Sequence, residues 1–455
     1  MKRRDFLKAG IAGAAGAALP GSGFAERHQD ASDRKPNIVV ILADDMGYAD
    51  TSCYDGWLDT PNLDALAAEG VRFTDFHASC PVCSPTRAGL ITGRYQQRAG
   101  LPGVVYAHKD REVHYHGLQR QEVTFAEILK RRGYATGIFG KWHLGYLKKY
   151  NPLHHGFDEF VGYVSGNIDY ISHLDNQETF DWWHGLERVE EEGYVTHLIT
   201  EHAVDFIRRH RDEPFCLYIP HEAVHTPFQA PGDYPVRGPN KHKKGSDRPV
   251  EETYRMMMTE MDKGIGRVME TLKELDIDRK TLVIFFSDNG ARNPGSNGPY
   301  RGWKGQLWEG GHRVPAIARW PGRIEPGRVC EETTISLDIM PTMLSVAGVS
   351  SGDRPEMDGV DLSPLLFAEG SLDERPLFWE YRDQQAMRQG RWKLVRNLRG
   401  QKGTGLYDLA NDPGEKNDVS GEHPQRVKRM GTALTEWSQE VNADATPQPD
   451  KPSSG

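Results

Sequence analysis

Four short apolar runs end abruptly in charged or imidazole side chains, and this pattern limits the fold more than any other feature of the chain. Ile38–Leu42 leads into Asp44 and Asp45, and Tyr134–Phe139 leads into Gly140, Lys141, Trp142 and His143. Phe215–Ile219 leads into His221 and His225, and Leu282–Phe286 into Ser287, Asp288, Asn289 and Gly290. Continuous apolar runs of this length suit strands buried on both faces of a parallel sheet. Stretches of helical character lie between them, for example 62–69, 124–132, 196–211 and 254–275. The alternation predicts an α/β fold, with a doubly wound, mostly parallel sheet flanked by helices on both faces. Ligands in such sheets bind beyond the carboxyl ends of the strands, where all four polar clusters fall. One composite site is therefore expected.

At 455 residues the chain exceeds the usual size of a single core, so a second, smaller unit is expected. Near the C-terminus, Arg391–Val395 and Leu406–Leu409 read as strands, and about Gln425 to Val441 as a closing helix. They predict a small antiparallel sheet with one helix. The expected organisation is a catalytic domain over 36–325, a C-terminal α+β subdomain over 326–442 and a flexible polar tail over 443–455. The formal charge of −9 argues against a nucleic-acid partner bound by bulk electrostatics. An anionic substrate would need a local basic pocket. Five cysteines in this length do not make a disulfide scaffold, and whether any of Cys53, Cys80, Cys216 and Cys330 pair is left open.

The N-terminus reads as an address. Lys2-Arg3-Arg4-Asp5-Phe6-Leu7-Lys8 precedes the Ala/Gly-rich stretch Ala9–Leu19, and Gly23 and Ala25 are small residues before a plausible cleavage point. Residues 1–25 resemble a twin-arginine export signal. Their apolar stretch is shorter than the ~20 residues of a membrane span, so no stable membrane anchor is expected. The twin-arginine export machinery carries folded proteins, which places this one in the periplasm or outside the cell of a bacterium.

Cys83-Ser84-Pro85-Thr86-Arg87 carries the most chemistry. Ser84 suits a helix N-cap and Pro85 the first turn, where a missing N–H costs nothing. Cys83 then sits at the positive end of a helix, one turn from Arg87, where an anion would meet backbone N–H groups and a guanidinium. The competing reading is a redox pair, Cys80-Pro81-Val82-Cys83. Asp44, Asp45, Asp288 and the amide oxygen of Asn289 offer hard oxygen ligands, which favour Ca²⁺ or Mg²⁺ over Zn²⁺. Each pair alone would also pass for turn residues. Lys141 and His143, two apart, face the same way if their strand continues. Among the aromatic residues, Trp182, Trp183, Trp303 and Trp308 suit either stacking on sugar rings or plain core packing.

The pattern C-x-P-x-R followed by x-G-L-x-T-G-R, here Cys83–Arg94, resembles the signature of the type I sulfatases. Gly140-Lys141-Trp142-His143-Leu144-Gly145, His225-Thr226-Pro227 and Arg301-Gly302-Trp303-Lys304-Gly305 match further signatures of that family in the same order, and the layout is most similar to the arylsulfatase A and N-acetylgalactosamine-6-sulfatase branch. His221 matches no signature and is read as structural. The resemblance spans roughly residues 36–420 and implies an alkaline-phosphatase-like fold. It also implies that Cys83 is converted to formylglycine (3-oxoalanine) by a maturation enzyme. Asp44, Asp45, Asp288 and Asn289, with residue 83, would hold one Ca²⁺.

In the mechanism the family implies, Arg87, Lys141 and Lys304 bind the sulfate with the metal, and a hydroxyl of the formylglycine hydrate attacks sulfur. His225, with Lys304, protonates the departing oxygen, and His143 takes the proton of the second hydroxyl as sulfate leaves. The implied activity is hydrolysis of a sulfuric ester on a sulfated saccharide, or of an aryl sulfate in vitro. Two alternatives remain. One is a phosphonate or phosphate monoester hydrolase of the same superfamily, and the other a non-catalytic secreted carbohydrate-binding protein if Cys83 stays a thiol.

Overall fold

The computed structural model describes residues 35–452, so the export signal read at 1–25 lies outside the described residues. In chain order the strands are β1 (Asn37–Ala43), β2 (Val71–Phe73), β3 (Phe76–His77), β4 (Ala135–Lys141), β5 (Glu159–Tyr163), β6 (Trp183–His184), β7 (Glu187–Arg188) and β8 (Phe215–Pro220). They continue with β9 (Thr281–Ser287), β10 (Ala316–Arg319), β11 (Arg328–Cys330), β12 (Thr334–Ile335), β13 (Leu377–Tyr381), β14 (Gln384–Gln389), β15 (Trp392–Arg396) and β16 (Thr404–Asp408). The helices are α1 (Pro61–Ala68), α2 (Cys83–Thr92), α3 (Phe125–Arg131), α4 (Val195–Arg209), α5 (Val250–Glu274), α6 (Glu309–His312), α7 (Ile339–Val346), α8 (Ser363–Leu366) and α9 (Pro424–Ala443).

The large sheet runs β11-β2-β10-β9-β1-β8-β4-β5-β6-β7. Its centre, β9-β1-β8-β4-β5, is parallel, while β10, β6 and β7 run antiparallel to their neighbours. All seven residues of β1 are buried. Ile38, Val40 and Leu42 pack into the layer of α2, α3 and α7, and Val39, Ile41 and Ala43 into that of α1, α4 and α5. Two covered faces explain why the run is apolar without alternation. Each of the Ile, Val and Leu side chains contributes about 1.5–3 kcal/mol over leaving it in water.

Register lines up the strand ends. Leu42 pairs with Pro220 and Ala43 with Ser287, so Asp44, His221 and Asp288 emerge side by side. Ile138 pairs with Tyr218, which brings Lys141 to the same edge. Gly140 (φ +127°) permits this close approach, because a Cβ there would lie 2.1 Å from the Pro220 carbonyl oxygen.

The second sheet, β13-β14-β15-β16, is antiparallel and is covered by α9, with Trp379, Leu394, Leu406, Leu434 and Trp437 in its core. β11 lies past residue 325 yet pairs with β2 in the large sheet, and the small sheet begins only at Leu377. The segment read as a frayed tail is instead held down as far as Lys451. The Thr446 amide donates to the Arg98 carbonyl at 2.8 Å, its hydroxyl bonds Glu122, and Gln448 accepts from the Gly117 amide at 3.0 Å. Among the described residues no helix is long and apolar enough to cross a membrane.

Candidate active site

Helix α2 starts two residues earlier than the capping pattern predicts. Val82, in extended conformation, is the N-cap, and Cys83 is the first helical residue. Ser84 is therefore inside the first turn, where its hydroxyl accepts from the Val105 amide at 3.3 Å. The Thr86 hydroxyl donates to the Cys80 carbonyl at 2.8 Å and fixes the entry of the chain into the helix. Cys83 still sits at the positive end of the dipole, buried at 3 % exposure. Burial pushes its thiol up, against the pull of Lys141 and Lys304. All five cysteines are free, including Cys80 and Cys83.

The four carboxylate and amide residues expected to gather at strand ends do so. Ligand oxygens of Asp44, Asp45 and Asp288 lie within 4.8 Å of one another. Arg87 interleaves with them, its Nη2 donating to Asp288 at 2.8 Å and to Asp44 at 3.1 Å. Lys141 pairs with Asp44 and Lys304 with Asp45, and Lys304 Nζ also reaches Cys83 Sγ at 3.4 Å. Three carboxylates thus face three cations. Asp44 Oδ1, Asp45 Oδ2 and Asn289 Oδ1 remain buried without a hydrogen-bond partner among the described residues. Orphaned oxygens are costly in a dry site, and a hard cation would satisfy all three. Asn289 Nδ2 donates to Asp45 Oδ1 at 2.8 Å, which turns its amide oxygen away from that bond. The adjoining Gly290 cannot be replaced without strain, because a Cβ would lie 1.9 Å from the Gly310 carbonyl oxygen.

The titration behaviour follows from these contacts. Burial alone would raise Asp44, but Lys141, His225 and Arg87 outweigh it and hold the carboxyl below its usual range. Burial is likewise outweighed at Asp45, by Lys304 and then His225. Asp288 is pushed up to about 6 by burial and by the neighbouring Asp44, against Arg87. Lys304 stays protonated, since Asp45 and Cys83 overcome the burial that would discharge it.

The two expected catalytic imidazoles arrive by different routes. His225 Nε2 is 3.6 Å from Asp45 Oδ2, while its Nδ1 lies 2.6 Å from the Thr226 carbonyl oxygen. Ligand atoms of His225, Cys83 and Asp44 fall within 4.8 Å of one another. Burial, then Lys304, push His225 down to about 4. β4 ends at Lys141, so His143 does not continue the strand beside it. Trp142, bonded through its ring N–H to the Tyr150 carbonyl at 2.8 Å, draws the chain away, and His143 takes the left-handed conformation (φ +56°). Its Nε2 lies 3.1 Å from the Val105 carbonyl, and its Nδ1 has no partner among the described residues. Asp45 is left-handed too (φ +61°), a cost of order 1–3 kcal/mol of the kind that clusters at functional sites.

Two further residues near the site were not among the expected site residues. Tyr170 donates its hydroxyl to the His225 carbonyl at 3.0 Å. Glu222 accepts from the Ile168 amide at 2.8 Å, and burial pushes its carboxyl well above the usual range. Its position directly after His221, at the end of β8, was the one available hint. His221 is buried and, among the described residues, has Nδ1 unbonded and joins no ligand cluster. Trp182, Trp183 and Trp308 are core residues, whereas Trp303 is 44 % exposed.

Comparison with known proteins decides the family. The sulfatase family model matches residues 36–349, more than half of the chain. The chain belongs to the sulfatase family. It is a sulfuric ester hydrolase, and the C-terminal model of N-sulphoglucosamine sulphohydrolase matches residues 301–440. The sulfatase is 32% identical to human N-acetylgalactosamine-6-sulfatase, covering 91% of this chain and 87% of the relative. It is 33% identical to human arylsulfatase A, covering 85% and 84%. Among solved structures, Ps i-CgsB in complex with k-i-k-neocarrahexaose superposes with a TM-score of 0.80 at 28% identity, covering 91% of this chain and 95% of that one. The twin-arginine translocation signal model matches residues 1–20 of the sulfatase, which indicates export to the periplasm or secretion.

Proposed function

We propose that this sulfatase removes sulfate from a sulfated carbohydrate, with Cys83 converted to formylglycine and one Ca²⁺ held by Asp44, Asp45, Asp288 and Asn289 beside residue 83. The observation that carries the reading is Lys304 Nζ, placed 3.4 Å from Cys83 Sγ and paired with Asp45. One lysine thereby joins the nucleophile position to the carboxylate cluster. As its hydrate, formylglycine supplies a hydroxyl nucleophile for sulfur and a second hydroxyl whose deprotonation frees the sulfate. Ca²⁺, when bound, adds positive charge beside the sulfate oxygens.

The chain's own residues do the rest. Arg87, Lys141 and Lys304 orient the anionic group, and the closed site excludes water. His225 and Lys304 flank the position of the leaving oxygen. His225 is the better proton donor of the two, because an anionic ester beside it raises its basicity, whereas the ammonium held by Asp45 parts with its proton reluctantly. His143, neutral and with Nδ1 unbonded, accepts a proton on the nucleophile side. Trp303 offers an exposed face next to Lys304 for a sugar ring. N-acetylgalactosamine-6-sulfatase and the complex of Ps i-CgsB with k-i-k-neocarrahexaose, by their names, support a carbohydrate substrate. Maturation precedes export, since the twin-arginine route carries folded protein.

The deciding experiment is the mass of the peptide bearing residue 83, taken from protein exported by its own host. It should be about 18 Da lighter than the cysteine form, and sulfate release should vanish in Cys83→Ala. An unmodified thiol in protein that still releases sulfate would overturn the formylglycine reading. An unmodified thiol in protein that releases none would favour the carbohydrate-binding alternative.

A further inference from the structure

Beside Lys304 a cleft of about 620 Å³ opens between the catalytic domain and the small sheet. Its catalytic wall is Val82, Arg292 and Lys304, and its opposite wall is Arg382, Asp383 and Arg399. Its volume is within the roughly 300–1,000 Å³ usual for small-molecule sites. Arg292, Arg382 and Arg399 are exposed, and none is in an ion pair among the described residues. Asp383 is the single carboxylate on the lining. In a chain of net charge −9, four cationic side chains against one carboxylate make this cleft a local exception.

The wall that carries Arg382 is built to hold it there. Arg382 and Asp383 form the two-residue turn between β13 and β14, closed by pairing of Tyr381 with Gln384. Tyr381 packs on Cys80 and Val82, directly before the nucleophile position. Gln384 donates to the Gly305 carbonyl at 2.9 Å, directly after Lys304. The turn is thus pinned on both sides of the reaction centre. Arg382 itself adopts φ +57°, where glycine or asparagine would be easier and an arginine costs of order 1–2 kcal/mol. A strained position that keeps a long cationic side chain points to a use for that side chain.

We infer that Arg292, Arg382 and Arg399 bind a second anionic group of the substrate, a sulfate or a carboxylate on the same or the adjoining sugar. The inference rests on the carbohydrate sulfatase reading and narrows it to polyanionic saccharides. Guanidinium forks match both oxyanions, and the spare amide of Asn397 on the same wall suits sugar hydroxyls.

The test compares kcat/KM for three small saccharides carrying the same scissile sulfate. One has no further charge, one has a second sulfate and one has a uronic carboxylate. Wild-type enzyme should favour one or both charged substrates by about tenfold or more, mostly through KM, and the preference should shrink with added salt. The ratio should collapse in R382A/R399A and be only partly restored in R382K/R399K, which keeps the charge and loses the fork. Sulfate-only or carboxylate-only preference identifies which anion the cleft takes. Equal kcat/KM for all three, or a double variant that keeps the wild-type ratio, would overturn the inference while leaving sulfatase activity intact. Failure to release sulfate from any of the three, or from an aryl sulfate, would instead overturn the carbohydrate sulfatase reading on which it rests.

Discussion

Arg388 of the small sheet grips both carboxylate oxygens of Asp75, at 2.7 and 2.6 Å, beside the large sheet. Around this fork lies a buried polar network. Lys393 reaches Glu309 and Glu415 at 2.9 Å each, Glu415 accepts from the Glu309 amide at 2.6 Å, and His77 and His312 meet through Nδ1 at 3.0 Å. Glu309 opens α6, five residues past Lys304, so the network that docks the small sheet also sets the loop that presents the active-site lysine.

Without Arg388, buried Asp75 loses its two-pronged partner and keeps Arg313, at 3.2 Å, as its one remaining arginine among the described residues. Arg388→Met should destabilise the enzyme by about 1–3 kcal/mol, read as a lowered denaturant midpoint. Sulfate release should fall at temperatures well below unfolding, because the Lys304 loop loses its support. A midpoint unchanged within error would mean the fork carries no net stability.

The carboxylate cluster makes a separate prediction. Chelation should lower the melting temperature and added Ca²⁺ should restore it. A cation at about 100 times its Kd stabilises the fold by about 2.7 kcal/mol. Asp288→Asn and Asp45→Asn should each blunt that response and reduce the calcium content measured by emission spectroscopy. Identical melting with chelator and with Ca²⁺ would remove the metal from the proposal.

These two cases mark what the chain reveals before folding. The strand ends at Asp44, Lys141, His225 and Asp288 were legible because burial on both faces forces continuous apolar runs, and those runs stop where the sheet stops. Cys83 and Arg87 were legible because one helical turn relates them. Asp75 and Arg388 were not, since 313 residues separate partners that no local period connects. The left-handed turn at His143 was hidden for a similar reason, because it depends on where the Trp142 ring finds the Tyr150 carbonyl. Ser84 misled as a cap, because an extended Val82 lets the chain enter the helix two residues sooner. The tail misled because its polarity gave no sign of the partners waiting at Arg98, Gly117 and Glu122.

Asp181 gives a pH signature outside the reaction centre. It accepts from the Ser165 amide at 2.8 Å and the Trp183 ring N–H at 2.6 Å, and burial pushes its carboxyl from 3.8 up to about 6. Between those values the folded state keeps a proton that the unfolded chain has released. Stability therefore falls as pH rises through that window, and the loss is complete above the folded value. Asp181→Asn removes the titration. Relative to wild type, the variant should gain about 1–3 kcal/mol between about pH 4 and pH 7, measured by denaturant unfolding at each pH. A constant difference across that range would show that Asp181 does not titrate there.

Tyr170 tests the role of His225 without touching it. The phenol is buried and donates to the His225 backbone carbonyl at 3.0 Å, so Tyr170→Phe leaves that carbonyl short of a donor and frees the loop to shift. A hydrogen bond of about 0.5–1.5 kcal/mol corresponds to a roughly 2- to 13-fold loss, expected in kcat with KM little changed. If His225 protonates the leaving oxygen, the loss must grow as that oxygen becomes more basic. A good phenolate leaves with little help, whereas a sugar alkoxide needs its proton in the transition state. Rates for a series of aryl and alkyl sulfates would then show a steeper dependence on leaving-group basicity in Tyr170→Phe than in wild type. Parallel slopes would assign the proton to Lys304, which Asp45 holds in place whatever the His225 loop does.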